Sequence, residues 1–351
     1  MRSETMTPRE RWLAVLRREK PDRVPMDIWT TPEAQEKLQA HMGCDWDTVL
    51  ERLHIDPPLG VGGKYVGPPL PENEDVWGVR YREVQYGTGR YNEAVYAPLA
   101  GYQSIDEIEA HYVWPSPDCW TYDHLAEEVK GKEHRIVRGG GSEPMLVYKQ
   151  LRGEQQAFMD LLEHPDIVHY CIGKLFDLAH EATLRIFETI PGVVQITYVA
   201  EDIGGQDGLL YAPDHIREYL FPGMKRMMDL TRQHGSFVFT HSDGAFREMI
   251  PELIAMGVQV LNPIQWRCRG MDREGLKRDF GDRLVFHGGV DNQRTIPFGT
   301  VEEVRQEVLD NYRILGEGGG YILCPCHNIQ PVTPPENIIA LYETGYEYGW
   351  Q

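Results

Sequence analysis

The sequence predicts an α/β fold in which parallel strands close into a TIM-like (β/α)8 barrel. From about residue 133 onward, short apolar runs typical of strands alternate with segments of helical periodicity, with few residues between them. Such alternation favours parallel strands joined by right-handed helical crossovers. Polar residues follow several of the predicted strands, as functional residues do at the carboxyl ends of barrel strands.

The strand count supports a barrel. The predicted strands lie near the following positions: 23, 134, 195, 238, 260, 286 and 322. An eighth strand within residues 52–66 would complete the barrel. The strand near residue 134 runs into Gly139-Gly-Gly-Ser-Glu-Pro144, which predicts a flexible turn where the backbone can approach a ligand closely.

The predicted helices have clear beginnings. Thr7-Pro-Arg-Glu10 and Thr300-Val-Glu-Glu303 have the form of capping boxes, and the first helix should end before Pro21. The last helix should begin with Thr333 as its cap. The helices expected between these lie at about residues 154–162, 166–189, 213–234 and 246–256.

Residues 57–122 differ in composition from the rest of the chain. They contain many prolines, glycines and aromatic residues in short β-favouring runs separated by turn residues. We interpret them as an insertion of loops and small strands that follows the first elements and covers one mouth of the barrel. We expect a single domain over residues 1–351 that contains this insertion.

Composition and charge exclude several classes of partner. The chain has 54 acidic and 35 basic residues and a net charge of −19, which disfavours nucleic acid and anionic lipid as main partners. No stretch approaches the roughly 20 apolar residues of a membrane span. The first residues lack the apolar core of a signal peptide. The six cysteines suggest no disulfide framework, so we expect a cytoplasmic enzyme.

Two strand ends carry the candidate site. His241 and Asp243 are two residues apart on an extended segment, so their side chains lean to the same side. The last strand ends in Cys324, Cys326 and His327. A metal ion could accept the two imidazoles and the carboxylate, with a thiolate from Cys326 or Cys324 as a further ligand.

Other interpretations of the same residues stay open. Without a metal, His241 or His327 could act as a general acid or base that Asp243 orients. Both histidines could instead only satisfy buried backbone groups. Glu201 and Asp202 follow another strand and could serve as catalytic carboxylates or as caps of a neighbouring helix.

Several motifs together resemble the uroporphyrinogen decarboxylase superfamily over nearly the whole chain. In chain order they are Thr7-Pro-Arg-Glu-Arg11, Lys20-Pro-Asp-Arg-Val-Pro25, Asp75-Val-Trp-Gly-Val79, Leu151-Arg-Gly-Glu154, Glu201-Asp-Ile-Gly-Gly-Gln206, His241-Ser-Asp-Gly244, Leu261-Asn-Pro-Ile-Gln265, His327-Asn-Ile-Gln330 and Thr333-Pro-Pro-Glu-Asn337. The resemblance implies a TIM-like barrel, in agreement with the strand count. It does not distinguish between the reactions known in the superfamily.

Two branches of the superfamily are relevant. One comprises zinc-dependent methyltransferases that work with corrinoid proteins; their zinc-ligand positions match His241, Asp243 and His327, with Cys326 beside the last. The other comprises cofactor-free decarboxylases, whose active-site histidine also matches His327. Their arginine-containing motif for the tetrapyrrole is replaced here by Met26-Asp-Ile-Trp-Thr-Thr31, so we do not expect a porphyrinogen substrate.

The favoured hypothesis is a metal-dependent methyltransferase. It would move a methyl group between a small O-, N- or S-methylated substrate and a separate corrinoid protein, with zinc as the metal and Glu201 or Asp202 protonating the leaving atom. The alternatives are a decarboxylase of a small aromatic or pyrrolic acid, with His327 as proton donor, and a non-catalytic scaffold. The resemblance also implies a homodimer. The residues expected to contact substrate are Trp29, Tyr148, Tyr198 and Gln206.

Overall fold

The computed structural model describes residues 3–87 and 89–350, and its central element is a seven-stranded parallel sheet. The strands in chain order are β1 (Leu59–Val61), β2 (Lys64–Tyr65), β3 (Arg80–Tyr86), β4 (Gly89–Tyr96), β5 (Trp120–Thr121), β6 (Val137–Ser142), β7 (Ile196–Val199), β8 (Phe237–His241), β9 (Val260–Asn262), β10 (Val285–Val290) and β11 (Tyr321–Pro325). The order in the sheet is β1-β6-β7-β8-β9-β10-β11.

An extended segment near the amino terminus bonds to both edges of this sheet. Asp27 N donates to Leu323 O at 2.8 Å, and Leu323 N donates to Pro25 O at 3.0 Å. On the opposite edge, just before β1, Asp56 N donates to Met26 O at 2.7 Å. The predicted first strand is this segment and the predicted eighth strand is β1, so the TIM-like barrel is confirmed.

Helices surround the sheet. They are α1 (Pro8–Leu16), α2 (Pro32–Met42), α3 (Trp46–Arg52), α4 (Ile105–His111), α5 (Leu125–Val129), α6 (Pro144–Arg152), α7 (Glu154–Glu163), α8 (Pro165–Thr189), α9 (Pro213–His215), α10 (Phe221–Gln233), α11 (Ile250–Met256), α12 (Arg273–Phe280), α13 (Thr295–Phe298), α14 (Val301–Ile314) and α15 (Pro335–Tyr348). A π-helical turn, Ile216–Leu220, joins α9 to α10. In the described part of the chain, none of these helices has the length and apolar character needed to span a membrane.

Two of the three predicted helix caps are confirmed. The predicted capping boxes at Thr7 and Thr300 are both present. The predicted cap of the last helix is wrong, because α15 begins at Pro335 and Pro334 occupies the cap position. A residue that precedes a proline disfavours the helical region, so Pro334 stays extended and Thr333 lies outside the helix.

The glycine run after Arg138 lies inside β6, and the predicted flexible turn is therefore wrong. A Cβ atom at Gly141, whose φ is +134°, would lie 1.9 Å from Tyr198 O on β7. A Cβ atom at Gly140 would lie 2.5 Å from Thr183 Cγ2 on α8. The glycines thus allow close approach of a neighbouring strand and helix. The sequence patterns also did not predict α6, which begins directly after this strand.

The region predicted as an insertion contains the expected small strands. β3 and β4 form an antiparallel hairpin, and β2 pairs with β5. The region also contains α4, and its first strand, β1, belongs to the barrel. Tyr86 OH on the hairpin donates to Gln330 Oε1 at 2.7 Å, which places the hairpin beside the loop that follows β11.

The interior of the barrel has an apolar layer and a polar layer. The apolar layer is a buried cluster that includes Ile136, Ile196, Phe239, Val260, Val285 and Ile322. The residues two positions further along these strands are Arg138, Tyr198, His241, Asn262, His287 and Cys324. Side chains two apart on a strand share a face, so the inward positions change from apolar to polar toward the carboxyl ends of the strands.

A buried carboxylate holds the closing segment against the start of β1. Asp56 Oδ1 accepts from Arg11 Nη1 at 2.6 Å, and Asp56 Oδ2 accepts from Arg23 Nη1 at 2.8 Å and from Met26 N at 3.1 Å. All three charged side chains are at most 2% exposed. Removal of this carboxylate would leave two buried guanidinium groups with weaker compensation.

We therefore expect Asp56→Asn to lower the free energy of unfolding by about 3 kcal/mol, as loss of one partner does in a buried ion pair. Urea unfolding followed by circular dichroism measures this change. The control is Asp177→Asn, which removes a surface carboxylate 2.7 Å from Arg226 and should cost less than about 1 kcal/mol. Equal effects of the two substitutions would contradict the role assigned to Asp56.

Candidate functional site

The structure brings together two histidines and a carboxylate from distant parts of the sequence. His241 is the last residue of β8, Asp243 follows it, and His327 follows β11. Their ligand atoms all lie within 4.8 Å of one another, and the two imidazole centroids are 6.0 Å apart. His241 is 5% exposed in its side chain, whereas Asp243 is 31% exposed. The cluster therefore lies at the barrel mouth, with one side open.

Two carboxylates face the same nitrogen of His241. The distance from His241 Nε2 is 3.7 Å both to Asp202 Oδ1 and to Asp243 Oδ1. Asp243 N donates to Asp202 Oδ1 at 2.9 Å, and Gln265 Nε2 donates to Asp243 Oδ1 at 3.0 Å. Burial raises the pKa of Asp243, although the two neighbouring histidines act in the opposite direction.

A buried chain of hydrogen bonds leads away from His241 across the polar layer. His241 Nδ1 lies 2.5 Å from Asn262 Oδ1, Asn262 Nδ2 lies 2.7 Å from His287 Nδ1, and His287 Nε2 lies 3.0 Å from Asp27 Oδ2. All four side chains are buried. The chain therefore connects the closing segment, β10, β9 and β8.

Asp27 determines which groups donate and which accept in this series of hydrogen bonds. Its carboxylate already accepts from Ile28 N and from Trp29 Nε1 at 2.8 and 3.1 Å, so His287 Nε2 is the donor to it. The amide nitrogen of Asn262 donates to His287 Nδ1. The amide oxygen of Asn262 consequently accepts from His241 Nδ1–H, and His241 Nε2 is the ring nitrogen that faces the two carboxylates.

The cluster fits a divalent metal by the chemistry of its donors. His241, Asp243 and His327 offer two imidazole nitrogens and one carboxylate oxygen, which zinc and related ions accept. A hydrogen bond to the remote nitrogen of a ligand histidine fixes its tautomer, and His241 has such a bond. Three protein ligands leave a coordination position available to substrate.

The structure corrects the prediction that Cys326 is a ligand. Its Sγ donates to Ile264 O at 3.2 Å and lies outside the cluster of His241, Asp243 and His327. Burial raises the pKa of this thiol well above its ordinary value, which disfavours a thiolate. Cys324 points into the polar layer beside Asp27 and His287 instead.

The adjacent carboxylates Glu201 and Asp202 have different environments. Both oxygens of Glu201 lie 3.2 Å from Met145 N in the first turn of α6, so this side chain accepts at the amino-terminal end of that helix. Burial raises the pKa of Glu201 well above its ordinary value. Asp202 faces His241 and is 39% exposed in its side chain. Asp202, and not Glu201, is therefore the carboxylate that lies at the barrel mouth.

Two of the four residues predicted to contact substrate line a cavity near His241. Trp29 and Tyr198 border a cavity of about 720 Å³, and their rings lie 5.7 and 5.8 Å from that of His241. The structure places the other two elsewhere. Tyr148 lies in the helical layer, where its OH donates to Asp160 Oδ2 at 2.5 Å, and Gln206 is exposed on the loop after β7.

Sequence reasoning missed several residues around the site. Asn262, His287 and Arg138 each follow an apolar inward residue by two positions, and this period-two switch to polar residues could have identified them. Glu143 directly follows β6 and faces the charges of Asp202 and His241, while burial raises its pKa. The sequence placed Glu143 only within the predicted turn Gly139-Gly-Gly-Ser-Glu-Pro144 and gave it no role of its own.

Comparisons with known proteins agree with this architecture. A uroporphyrinogen decarboxylase from Pseudomonas putida is 26% identical over 238 residues, covering 64% of this chain and 63% of that protein. Methylcobamide:CoM methyltransferase MtaA from Methanosarcina barkeri is 25% identical over 225 residues, covering 64% and 61%. Each match thus spans less than two thirds of the relative's length.

A solved structure extends the similarity over the whole fold. A methyltransferase from Methanosarcina mazei superposes with a TM-score of 0.70 and covers 98% of this chain and 99% of its own, at 18% identity. The family model for uroporphyrinogen decarboxylase (URO-D) matches residues 125–348. Because that match covers more than half of the 351 residues, the chain belongs to the uroporphyrinogen decarboxylase family.

Proposed function

We propose that this protein is a metal-dependent methyltransferase. The observation that supports it most is the cluster of His241, Asp243 and His327, whose ligand atoms lie within 4.8 Å of one another beside an open cavity. The hydrogen-bonded chain to Asp27 adds support, because it engages His241 Nδ1 and leaves His241 Nε2 as the nitrogen directed at the cluster. A metal-free acid or base would not require three converging ligand atoms.

In this proposal the residues of the cluster have separate roles. His241, Asp243 and His327 would hold a zinc ion, which would supply Lewis-acid polarisation of a substrate heteroatom or lower the pKa of a bound thiol. Asp202, beside His241 and partly exposed, is placed to pass a proton to the leaving oxygen or nitrogen of a methylated substrate. Trp29 and Tyr198 orient the substrate in the cavity and exclude water.

We propose that the methyl group is exchanged between this substrate and a corrinoid that a separate protein carries. The Methanosarcina barkeri relative is, by its name, a methyltransferase for a methylcobamide and CoM. The open barrel mouth beside the β3–β4 hairpin would let a partner protein bring its corrinoid to the site. The substrate would be small, because a cavity of about 720 Å³ lies in the range of small-molecule pockets.

A second candidate is a decarboxylase that needs no metal. Uroporphyrinogen decarboxylases from several bacteria are among the relatives, including the Pseudomonas putida enzyme. The same geometry would then use His327 as a proton donor beside Asp202 and Asp243. The raised pKa of Asp243 is compatible with proton transfer as well as with metal binding.

We expect near-stoichiometric zinc in the purified protein, measured by elemental analysis. His241→Ala and His327→Ala should each lose most of it, because each removes one of three protein ligands. The control His134→Ala removes an exposed histidine and should retain zinc. Absence of metal from every preparation, together with carbon dioxide release from a candidate acid, would support the decarboxylase instead.

We also expect Asn262 to set the tautomer of His241. Nitrogen-15 NMR of the metal-free protein should show a proton on His241 Nδ1. Asn262→Leu removes the acceptor and should weaken zinc binding by about 10- to 100-fold, as loss of such a partner of a ligand histidine does.

Asn262→Asp is the matched comparison, since a carboxylate still accepts from His241 Nδ1–H and should preserve both the NMR signature and most of the zinc affinity. Thermal unfolding of both variants separates this effect from a general loss of stability. A wild-type His241 without a proton on Nδ1, or equal zinc affinities of the leucine and aspartate variants, would contradict the role given to Asn262.

A further inference from the structure

Arg138 is an inward-facing cation of the polar layer. It lies on β6 between Gly60 of β1 and Ile196 of β7, which are its register partners. Gly60 has no side chain, and a Cβ atom built there would meet nothing within 4 Å. Arg138 lines the cavity that Trp29 and Tyr198 also border. There is therefore open space beside its guanidinium group.

The charge of Arg138 lacks a protein counterpart within the described residues. Over residues 3–87 and 89–350, no carboxylate lies within the 4.0 Å ion-pair distance of its guanidinium group. The buried Arg152, in contrast, bonds to Asp160 at 2.6 Å. Arg135, next to Arg138 in the cavity wall, donates to Pro57 O at 3.1 Å. The guanidinium group of Arg138 is thus available to bind a molecule in the cavity.

The cavity around this cation suits a small aromatic molecule. Its wall includes the rings of Trp29, Trp46 and Tyr198, which offer flat apolar surface. Trp29 and Tyr198 also contact the His241 end of the site, with ring centroids 5.7 and 5.8 Å from the imidazole. These two rings therefore lie between the cavity that Arg138 lines and the metal-ligand cluster.

We propose that Arg138 binds a carboxylate group of the substrate, which is then a small aromatic acid. A guanidinium group binds a carboxylate through charge-assisted hydrogen bonds, which are stronger than bonds between neutral groups. The aromatic ring packs against Trp29 and Tyr198, and its opposite end reaches His241. This inference names the substrate class of the proposed methyltransferase. It rests on that proposed function only where it places the reacting end of the substrate at His241.

The test uses 4-methoxybenzoate and its uncharged amide, 4-methoxybenzamide, as probes in isothermal titration calorimetry. The full-length protein should bind the carboxylate at least about tenfold more tightly than the amide, since one charge-assisted bond is worth that much. Arg138→Gln should abolish the preference, and Arg138→Lys should retain part of it. Arg305→Gln, which removes an exposed arginine of α14, should leave it unchanged.

The same titration in His241→Ala separates this proposal from the proposed function. The preference for the carboxylate should persist there, because the anion is held by Arg138 and not by a metal. Loss of the preference in His241→Ala would place the anion at the metal-ligand cluster and overturn the proposal. Equal binding of the two probes, binding of neither, or a preference retained in Arg138→Gln would overturn it as well.

Discussion

Asp27 connects the closure of the barrel to the chemistry at its mouth. Its backbone N–H bonds to Leu323 and helps to close the sheet, while its carboxylate accepts from His287. The position of the closing segment therefore fixes the direction of the buried hydrogen bonds through Asn262 to His241. A shift of this segment would change both the barrel and the proton arrangement of the proposed metal ligand.

The two inward layers show how one sheet serves stability and function. The apolar layer supplies burial, and the next inward position of each strand supplies a polar group, as in the pair Phe239 and His241. Parallel strands bring these positions to one end of the barrel, so residues far apart in sequence meet there. Buried polar groups are costly unless they are bonded, and the chain from Asp27 satisfies most of those in this layer.

Much of this could be predicted from the sequence, because strand periodicity, capping boxes and strand-end residues are local signals. The meeting of His241, Asp243 and His327 followed from the rule that parallel strand ends share one edge. Placements that depend on tertiary contacts could not be predicted. Cys326 turns toward a backbone carbonyl, and the glycines of β6 serve close packing with Thr183 and Tyr198. Neither the orientation of Cys326 nor the packing role of these glycines is determined by the few residues next to them in the sequence.

The proposed metal site has nitrogen and oxygen donors and no thiolate. X-ray absorption spectroscopy at the zinc edge tests this ligand set most directly. We expect only nitrogen and oxygen neighbours at about 2.0–2.2 Å, with the outer-shell pattern of two imidazoles. A sulfur neighbour at about 2.3 Å, or the absence of imidazole scattering, would contradict it.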